Sequence, residues 1–321
     1  MEFLVQFSGI LIIIVGGKIF WLEIIRTIMK KCMKTGVDVM KVLVTGVKGQ
    51  LGFDVEKRLN LCGIAYLGCD INDFDLTNRE QTVSSIKAFS PDVVIHCAAY
   101  TAVDNSEDTR ELCYDINVNG TKYVAEACKD IDAKMVYIST DYVFEGQGSI
   151  PWKEDDPKNP INYYGETKSL GEDQVTELLC KYFIVRISWV FGINGNNFVK
   201  TMLKLGKERK ELTVVSDQIG SPTYTYDLAK LLIDMIQTEK YGVYHATNEG
   251  YCSWFEFAQE IMKIAKLECE VKAIASKDYL TRASRPLNSR LDKSKLDDNG
   301  FDRLPEWKVA LSSYFETLKT V

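Results

Sequence analysis

Histidine is nearly missing from this chain: 321 residues contain two, His96 and His245, each at the end of an apolar run. That scarcity leaves histidine-based metal sites and Ser-His-Asp triads without support, and both rings read as structural. An excess of positive charge is also missing. The 39 Lys and Arg stand against 45 Asp and Glu, giving a net charge of -6. The basic residues are scattered, so the chain carries no electrostatic footprint for nucleic acid. The nine cysteines include no C-x-x-C pair, and several sit in apolar runs, as Cys97 does after Val93-Val94-Ile95-His96. They read as reduced, mostly buried thiols, the usage of a cytoplasmic protein. Internal repeats and low-complexity linkers are absent.

No apolar run reaches the ~20 residues that span a bilayer. The nearest, Phe3 to Gly17, has no basic segment before it and no small-residue cleavage site after it, which argues against a signal peptide. Were it to insert as an anchor, Lys30, Lys31 and Lys34 would hold the following domain on the cytoplasmic side. Met40 stands directly before the first strong strand pattern. Residues 1–39 therefore read as an N-terminal extension dispensable to the fold, and no membrane partner is expected.

What is present is an ordinary globular composition, 46% hydrophobic and 26% charged. Apolar β-rich runs at Lys41–Thr45, Ile64–Cys69, Val93–His96, Met135–Ser139 and Phe183–Trp189, with a weaker one at Val243–His245, alternate with helical patterns. The helices fall near Leu51–Asn60, Arg79–Phe89, Val118–Cys128 and Tyr163–Cys180. Strands so continuously apolar are covered on both faces, and the rhythm predicts an α/β, doubly wound parallel Rossmann sheet. Residues 40–190 would form the dinucleotide-binding core. Residues 191–321, where the alternation loosens around Gly192–Asn197, Ser216–Tyr226 and Leu280–Arg290, would form mainly a small discontinuous substrate-binding lobe, with late elements returning to the core.

Between the first strand and first helix runs Gly46-Val47-Lys48-Gly49-Gln50-Leu51-Gly52. Its amides would face a pyrophosphate at a helix N-terminus, with Gly46 permitting the turn, Gly49 the approach of phosphate and Gly52 close helix packing. Downstream lie Ser139 and Thr140 at a strand end, then Tyr164 and Lys168. A four-residue spacing puts Tyr164 and Lys168 on one helix face, so the ammonium is expected to lower the phenol pKa while the strand-end hydroxyls reach substrate and tyrosine. A second Y-x-x-x-K, Tyr226 to Lys230, has no hydroxyl-bearing strand end before it and reads as a helix surface pair.

These motifs resemble the extended short-chain dehydrogenase/reductases and, more narrowly, the dTDP-4-dehydrorhamnose reductase family. The resemblance covers nearly everything from Met40 onward. It rests on Gly46 to Gly52, Ala98 to Asp104, Ser139 to Phe144, Tyr164 to Lys168, Ser188 to Phe191, Gly195 to Phe198, Asp217 to Thr223 and Arg285 to Leu291. It implies that Gly49, Gln50 and Leu51 meet the pyrophosphate, Asp70 the adenosine ribose, Asp75 and Leu76 the adenine, and Ala99, Tyr100 and Thr101 the nicotinamide side. Tyr164 would be the proton donor, Lys168 would hold the nicotinamide ribose, and Thr140 would tune the tyrosine. Thr140, Asp141 and Trp189 would contact the sugar nucleotide, with Gln218, Arg285 and Asn288 as further substrate residues. The implied reaction is NADPH- or NADH-dependent reduction of the C4 ketone of dTDP-4-dehydro-6-deoxy-L-mannose to dTDP-L-rhamnose.

Asp70 at the second strand's end favours NADH, whereas Lys48 could pair with a 2'-phosphate, so both cofactors are expected to work. A structural magnesium ion, and a monomeric or homodimeric state, are left open. Two other readings stand beside this one: another nucleotide-sugar reductase, epimerase or dehydratase of the same superfamily, and a non-enzymatic dinucleotide-binding regulatory subunit. The intact Tyr164-Lys168 pair argues against the second.

Overall fold

The computed structural model describes residues 3–7, 10–15, 18–19 and 40–320, the first three segments as backbone alone. The chain divides into two compact units, residues 1–40 and 41–321. In the first, β1 (Phe3–Phe7), β2 (Ile10–Val15) and β3 (Lys18–Ile19) pair as an antiparallel meander. The apolar run expected as an extension thus falls largely in strands. Among the described residues no helix is long and apolar enough to cross a membrane.

The second unit is built on six parallel strands. They are β4 (Lys41–Thr45), β5 (Ala65–Cys69), β6 (Val93–His96), β7 (Lys134–Thr140), β8 (Tyr182–Ile187) and β13 (Gly242–His245), in the order β13-β8-β7-β6-β4-β5. Four of them, β4, β6, β7 and β8, are interior. Apart from Ile138, which lines the cleft described below, their Val, Ile and Leu side chains are excluded from water on both faces, as the continuous apolar runs require. Helices α2 (Arg79–Phe89), α5 (Thr121–Asp130) and α6 (Tyr163–Leu178) pack together, and α1 (Gln50–Leu61) packs on α8 (Thr225–Ile236). Leu43, Val94, Met135 and Ile184 join Ile86, Val124 and Val175 in one buried cluster. Each such side chain contributes about 1.5–3 kcal/mol on burial.

The strand order reverses at β4, which has β5 on one side and β6 on the other. A crevice outside the carboxyl ends of β4 and β6 follows from that topology, and it is where ligands bind in open α/β sheets.

Three sequence expectations shift. The run Phe183–Trp189 stops at Ile187 and restarts as β9 (Val190–Phe191), because Trp189 adopts a left-handed backbone with φ of 51°. The helix expected at Val118 begins instead as a π-helical turn over Asp115–Gly120 before α5. The loop region Ser216–Tyr226 contains β11 (Ile219–Gly220), β12 (Thr223–Tyr224) and the start of α8. A second buried cluster, with Phe191, Val199, Leu212, Tyr224, Phe257, Trp307 and Tyr314, unites the late elements. These include α7 (Phe198–Glu208), the parallel pair β10 (Glu211–Val215) and β15 (Glu270–Ile274), and α9 (Trp254–Ala265), which starts at a Ser253–Glu256 capping box.

Candidate active site

The glycine loop leaves β4 through a turn that only glycine fits well. Gly46 has a φ of 71°, and a Cβ there would lie 2.8 Å from the backbone of Ala98 on the loop after β6. A Cβ on Gly52 would lie 2.3 Å from the Gly46 carbonyl oxygen, so the first turn of α1 packs directly on the loop. Gly49 caps α1 without a side chain, and no acidic residue occupies that helix's first turn. The orphan amides at this helix start are left to meet an anion.

Across the crevice a cleft of about 610 Å³ is lined by Gly46, Gly49, Gln50, Leu51, Asp70, Ala99, Thr101, Thr140, Asp141, Tyr164, Lys168 and Trp189. Two chemical groups far apart in the sequence, the glycine loop and the Tyr164-Lys168 pair, therefore share one space. Beside it a slot of about 170 Å³ is lined by Asp70, Ile71, Phe74, Asp75, Leu76, Ala98 and Ala99. Asp70 accepts the Lys48 amide at 3.0 Å and the Ile71 amide at 2.8 Å, which ties the end of β5 to the glycine loop. Asp75 is occupied on one oxygen by the amide and hydroxyl of Thr77, both at 2.9 Å.

Tyr164 and Lys168 lie on α6, whose start is capped by Asn162 accepting the Gly165 amide at 2.8 Å. Tyr164 meets Tyr142 edge-on at 5.7 Å. The expected lowering of the tyrosine pKa by Lys168 is not found. Burial and then the Asp141 carboxylate push the phenol well above its ordinary value, opposed by a hydrogen bond with Thr140. The first cause is burial of the phenol itself; Lys168 is also buried, burial lowers its pKa to about 7 against the support of Glu172, and its Nζ rests 4.0 Å from the centre of the Tyr137 ring. Desolvation suppresses the very charge the argument required.

The two strand-end hydroxyls part company. Thr140 Oγ1 donates to Asp141 Oδ1 at 3.0 Å and accepts the Tyr142 amide at 3.2 Å beside the cleft. Ser139, one residue earlier and so on the opposite face of β7, gives its hydroxyl to Glu172 at 2.6 Å. Ser139 also lines the cleft, but its hydroxyl proton is committed to the buried ion pair in which Arg186 meets both Glu172 oxygens at 2.8 Å. Asp141 is buried with one oxygen, Oδ2, lacking any hydrogen-bond partner. Burial raises its pKa to about 7, against the hydroxyls of Ser289 and Thr140.

Of the remaining expected residues, Trp189 lines the cleft and stacks on Trp254 with ring centres 3.8 Å apart. Its positive φ is costly for a bulky side chain and is held by that stack and by the Thr223 amide on its carbonyl. Gln218 and Arg285 lie in an adjoining recess of about 270 Å³, which shares Tyr142 and Trp254 with the cleft. There Arg285 pairs with Asp104 at 2.8 Å.

Two expected residues are not brought in. Tyr100 is held at its backbone by Asn117 and shares a hydrogen bond between its hydroxyl and that of Thr109 at 2.7 Å, outside the cleft. Asn288 is buried and spends its amide on the carbonyls of Gln147 and Ile150, and its oxygen on Arg290, so it braces a loop. Tyr226 is 47% exposed and its partner Lys230 pairs with Asp234 and Asp302, a helix surface arrangement as expected. His96 and His245 are buried, and burial lowers each to about 3, in keeping with structural rings.

Sequence reasoning missed Asn117 and Asn194. Asn117, in the π-helical turn, holds the Tyr100 carbonyl at 3.1 Å and Thr167 at 3.0 Å, bracing the loop after β6 against α6. Asn194 donates to the Lys48 carbonyl at 2.7 Å and to that of Gly49 at 3.3 Å. Neither carries a local signal, since each partner is distant in sequence. Among the described residues no group of three His, Cys, Asp or Glu could hold a metal ion, which leaves the magnesium expectation without a site.

Comparison with known proteins bears on this cleft. A family model described as "RmlD substrate binding domain" matches residues 40–320. The dTDP-4-dehydrorhamnose reductase of Aggregatibacter actinomycetemcomitans is 41% identical over 85% of this chain and 97% of its own. The spore coat polysaccharide biosynthesis protein SpsK of Bacillus subtilis is 40% identical over 86% of this chain and 97% of its own. Among solved structures, the dTDP-4-dehydrorhamnose reductase of Bacillus anthracis in complex with NADP superposes with a TM-score of 0.85 at 44% identity, covering 87% of this chain and all of the other.

Proposed function

The chain belongs to the RmlD substrate binding domain family, and from that membership we propose that it is an NAD(P)H-dependent oxidoreductase acting on a nucleotide sugar. It reduces the C4 ketone of dTDP-4-dehydro-6-deoxy-L-mannose to dTDP-L-rhamnose, the last step of dTDP-rhamnose biosynthesis. The observation that carries this reading is the meeting of the glycine loop with Thr140, Tyr164 and Lys168 in one cleft.

The residues present fit a dinucleotide. Side chains are excluded at Gly46 and Gly52, the uncapped amides at the start of α1 suit a pyrophosphate, and the slot at Asp75 and Leu76 suits an adenine. Asp70 keeps lone pairs for ribose hydroxyls, and Ala99 and Thr101 line the nicotinamide side. When bound, the reduced nicotinamide supplies the hydride. Tyr164 gives its proton to the developing C4 oxygen; its raised pKa keeps it protonated, and so ready as an acid, at neutral pH. Lys168 holds the nicotinamide ribose, and Asp141 and Trp189 face the sugar. The adjoining recess is lined by the apolar side chains of Phe198, Val214 and Trp254 together with Gln218 and Arg285, which suits a pyrimidine base and its diphosphate.

Both NADH and NADPH serve, since Asp70 favours the free ribose while Lys48 can meet a 2'-phosphate. The test is a turnover assay on dTDP-4-dehydro-6-deoxy-L-mannose with each cofactor. Production of dTDP-L-rhamnose is expected. Tight dinucleotide binding without turnover would instead favour a regulatory subunit.

A further inference from the structure

Glycine at position 49 solves one problem and leaves another. A Cβ there would lie 3.1 Å from the Gly46 carbonyl oxygen, so a side chain would crowd the turn, but without one the backbone is free to rotate. The amides of Gln50, Leu51 and Gly52, at the start of α1, make no hydrogen bond among the described residues. Where the first of them points depends on the peptide plane that Gly49 begins. Within the loop and helix that plane is held only by the Phe53 amide, which reaches the Gly49 carbonyl at 3.4 Å.

We infer that Asn194 is a positioning residue that aims the Gln50 amide at the dinucleotide pyrophosphate. This rests on the dinucleotide reading of the cleft. Asn194, in the loop after β9, donates from Nδ2 to the Lys48 carbonyl at 2.7 Å and to the Gly49 carbonyl at 3.3 Å, one for each of its two amide protons. Every described peptide bond is trans, which sets C=O and N–H on opposite sides of the plane, so holding a carbonyl directs the next amide away from the clamp. The Lys48–Gly49 plane is held at both ends, since the Gly49 amide also donates to the Gly46 carbonyl at 2.9 Å. The Gly49–Gln50 plane is held at its carbonyl end alone, and its N–H is left free for a ligand. Gly49 and Gln50 line the cleft and Asn194 does not, so the clamp takes none of the space a ligand would fill.

The clamp is itself braced. Lys200 Nζ donates to the carbonyls on either side of Asn194, those of Ile193 at 2.6 Å and Gly195 at 2.7 Å. Asn197 caps α7 by accepting the Lys200 amide at 3.0 Å, and its Nδ2 donates to the Gly192 carbonyl at 2.8 Å and to Gln50 Oε1 at 3.1 Å. The loop from Gly192 to Asn197 is thus tied to the start of α7 and, through two asparagines, to the glycine loop. Ordering of the loop is completed on folding rather than on binding, and donors fixed in place beforehand bind an anion more tightly than mobile ones. The ligand chemistry that gains is the diphosphate. A nucleoside without phosphate gains nothing from it.

The experiment is titration of the parent chain, Asn194→Ala and Asn194→Asp with NADPH, ADP-ribose and adenosine, with an unchanged melting temperature as the check on folding. Aspartate has the shape of asparagine but sets an oxygen against the two carbonyls where the clamp needs protons. Expected for Asn194→Ala is a loss of affinity of about 10-fold for NADPH and for ADP-ribose, the effect of one net hydrogen bond, with no change for adenosine. Asn194→Asp should lose at least as much. In turnover the loss should appear in the KM for dinucleotide rather than in kcat. Unchanged NADPH affinity in both variants, or an equal loss for adenosine, would overturn the clamp. A parent chain that binds no dinucleotide would instead overturn the reading on which it rests.

Discussion

At the scale of single residues, the chemistry depends on where each polar group spends its hydrogen bonds. Ser139 and Thr140 are chemically alike and adjacent, yet the period of two along a strand commits the proton of one to Glu172 and that of the other to Asp141. The same reasoning separates the two Y-x-x-x-K pairs. Tyr164→Phe should lower kcat by at least ~100-fold with little change in dinucleotide affinity, whereas Tyr226→Phe should leave kcat as it is. Steady-state kinetics and a dinucleotide titration on both variants check this; a fully active Tyr164→Phe would remove the proposed donor.

Lys168 adds a stability prediction at the same scale. Its pKa falls from an ordinary value near ~10.4 to about 7 on folding, so between those values the unfolded chain binds more protons and stability rises with pH. Below about 7 the buried ammonium weighs fully against the fold. Lys168→Met should therefore melt higher than the parent at pH 6.5, and that gain should shrink toward pH 10, while kcat drops and dinucleotide binding weakens. Melting curves across the range decide it: a gain that grows with pH would contradict the assigned direction.

Among elements, the decisive contact is between the glycine loop and the first turn of α1. With a Cβ at position 52 landing 2.3 Å from the Gly46 carbonyl oxygen, backbone rather than a flexible side chain would have to move. Gly52→Ala should cost about 1–3 kcal/mol of stability, as overpacking does, and weaken dinucleotide binding because the loop amides turn with the helix. Chemical denaturation and a binding titration would show it, and a variant with parental stability and affinity would mean that the helix start is looser than it looks. The clamp of Asn194 on the Lys48 and Gly49 carbonyls holds the same loop.

For the molecule as a whole, the unit of residues 41–321 contains the six-stranded sheet, the cleft and both buried clusters. A chain beginning at Met40 should keep the melting temperature and turnover of the full chain. Thermal melts and an activity assay on the shortened protein test this, and a large loss in either would assign the first 39 residues a part in folding or function.

The alternation of apolar runs and helical stretches was enough to foresee the parallel sheet, since strands such as Val93–His96 are apolar throughout only when both faces are covered. The glycine spacing was enough to foresee a tight turn between strand and helix, because the positive φ at Gly46 is a local property of the backbone. The tertiary structure decided everything that depends on desolvation or on partners distant in sequence. A four-residue spacing places Lys168 beside Tyr164, but only the packing of α6 against β7 buries that lysine over Tyr137 and weakens its charge. Asn288 and Arg285 stand three residues apart in one motif, and the fold sends one into a loop brace and the other into the recess. Burial is a property of the assembled molecule, and pKa values, ion pairs and unpartnered oxygens follow from it.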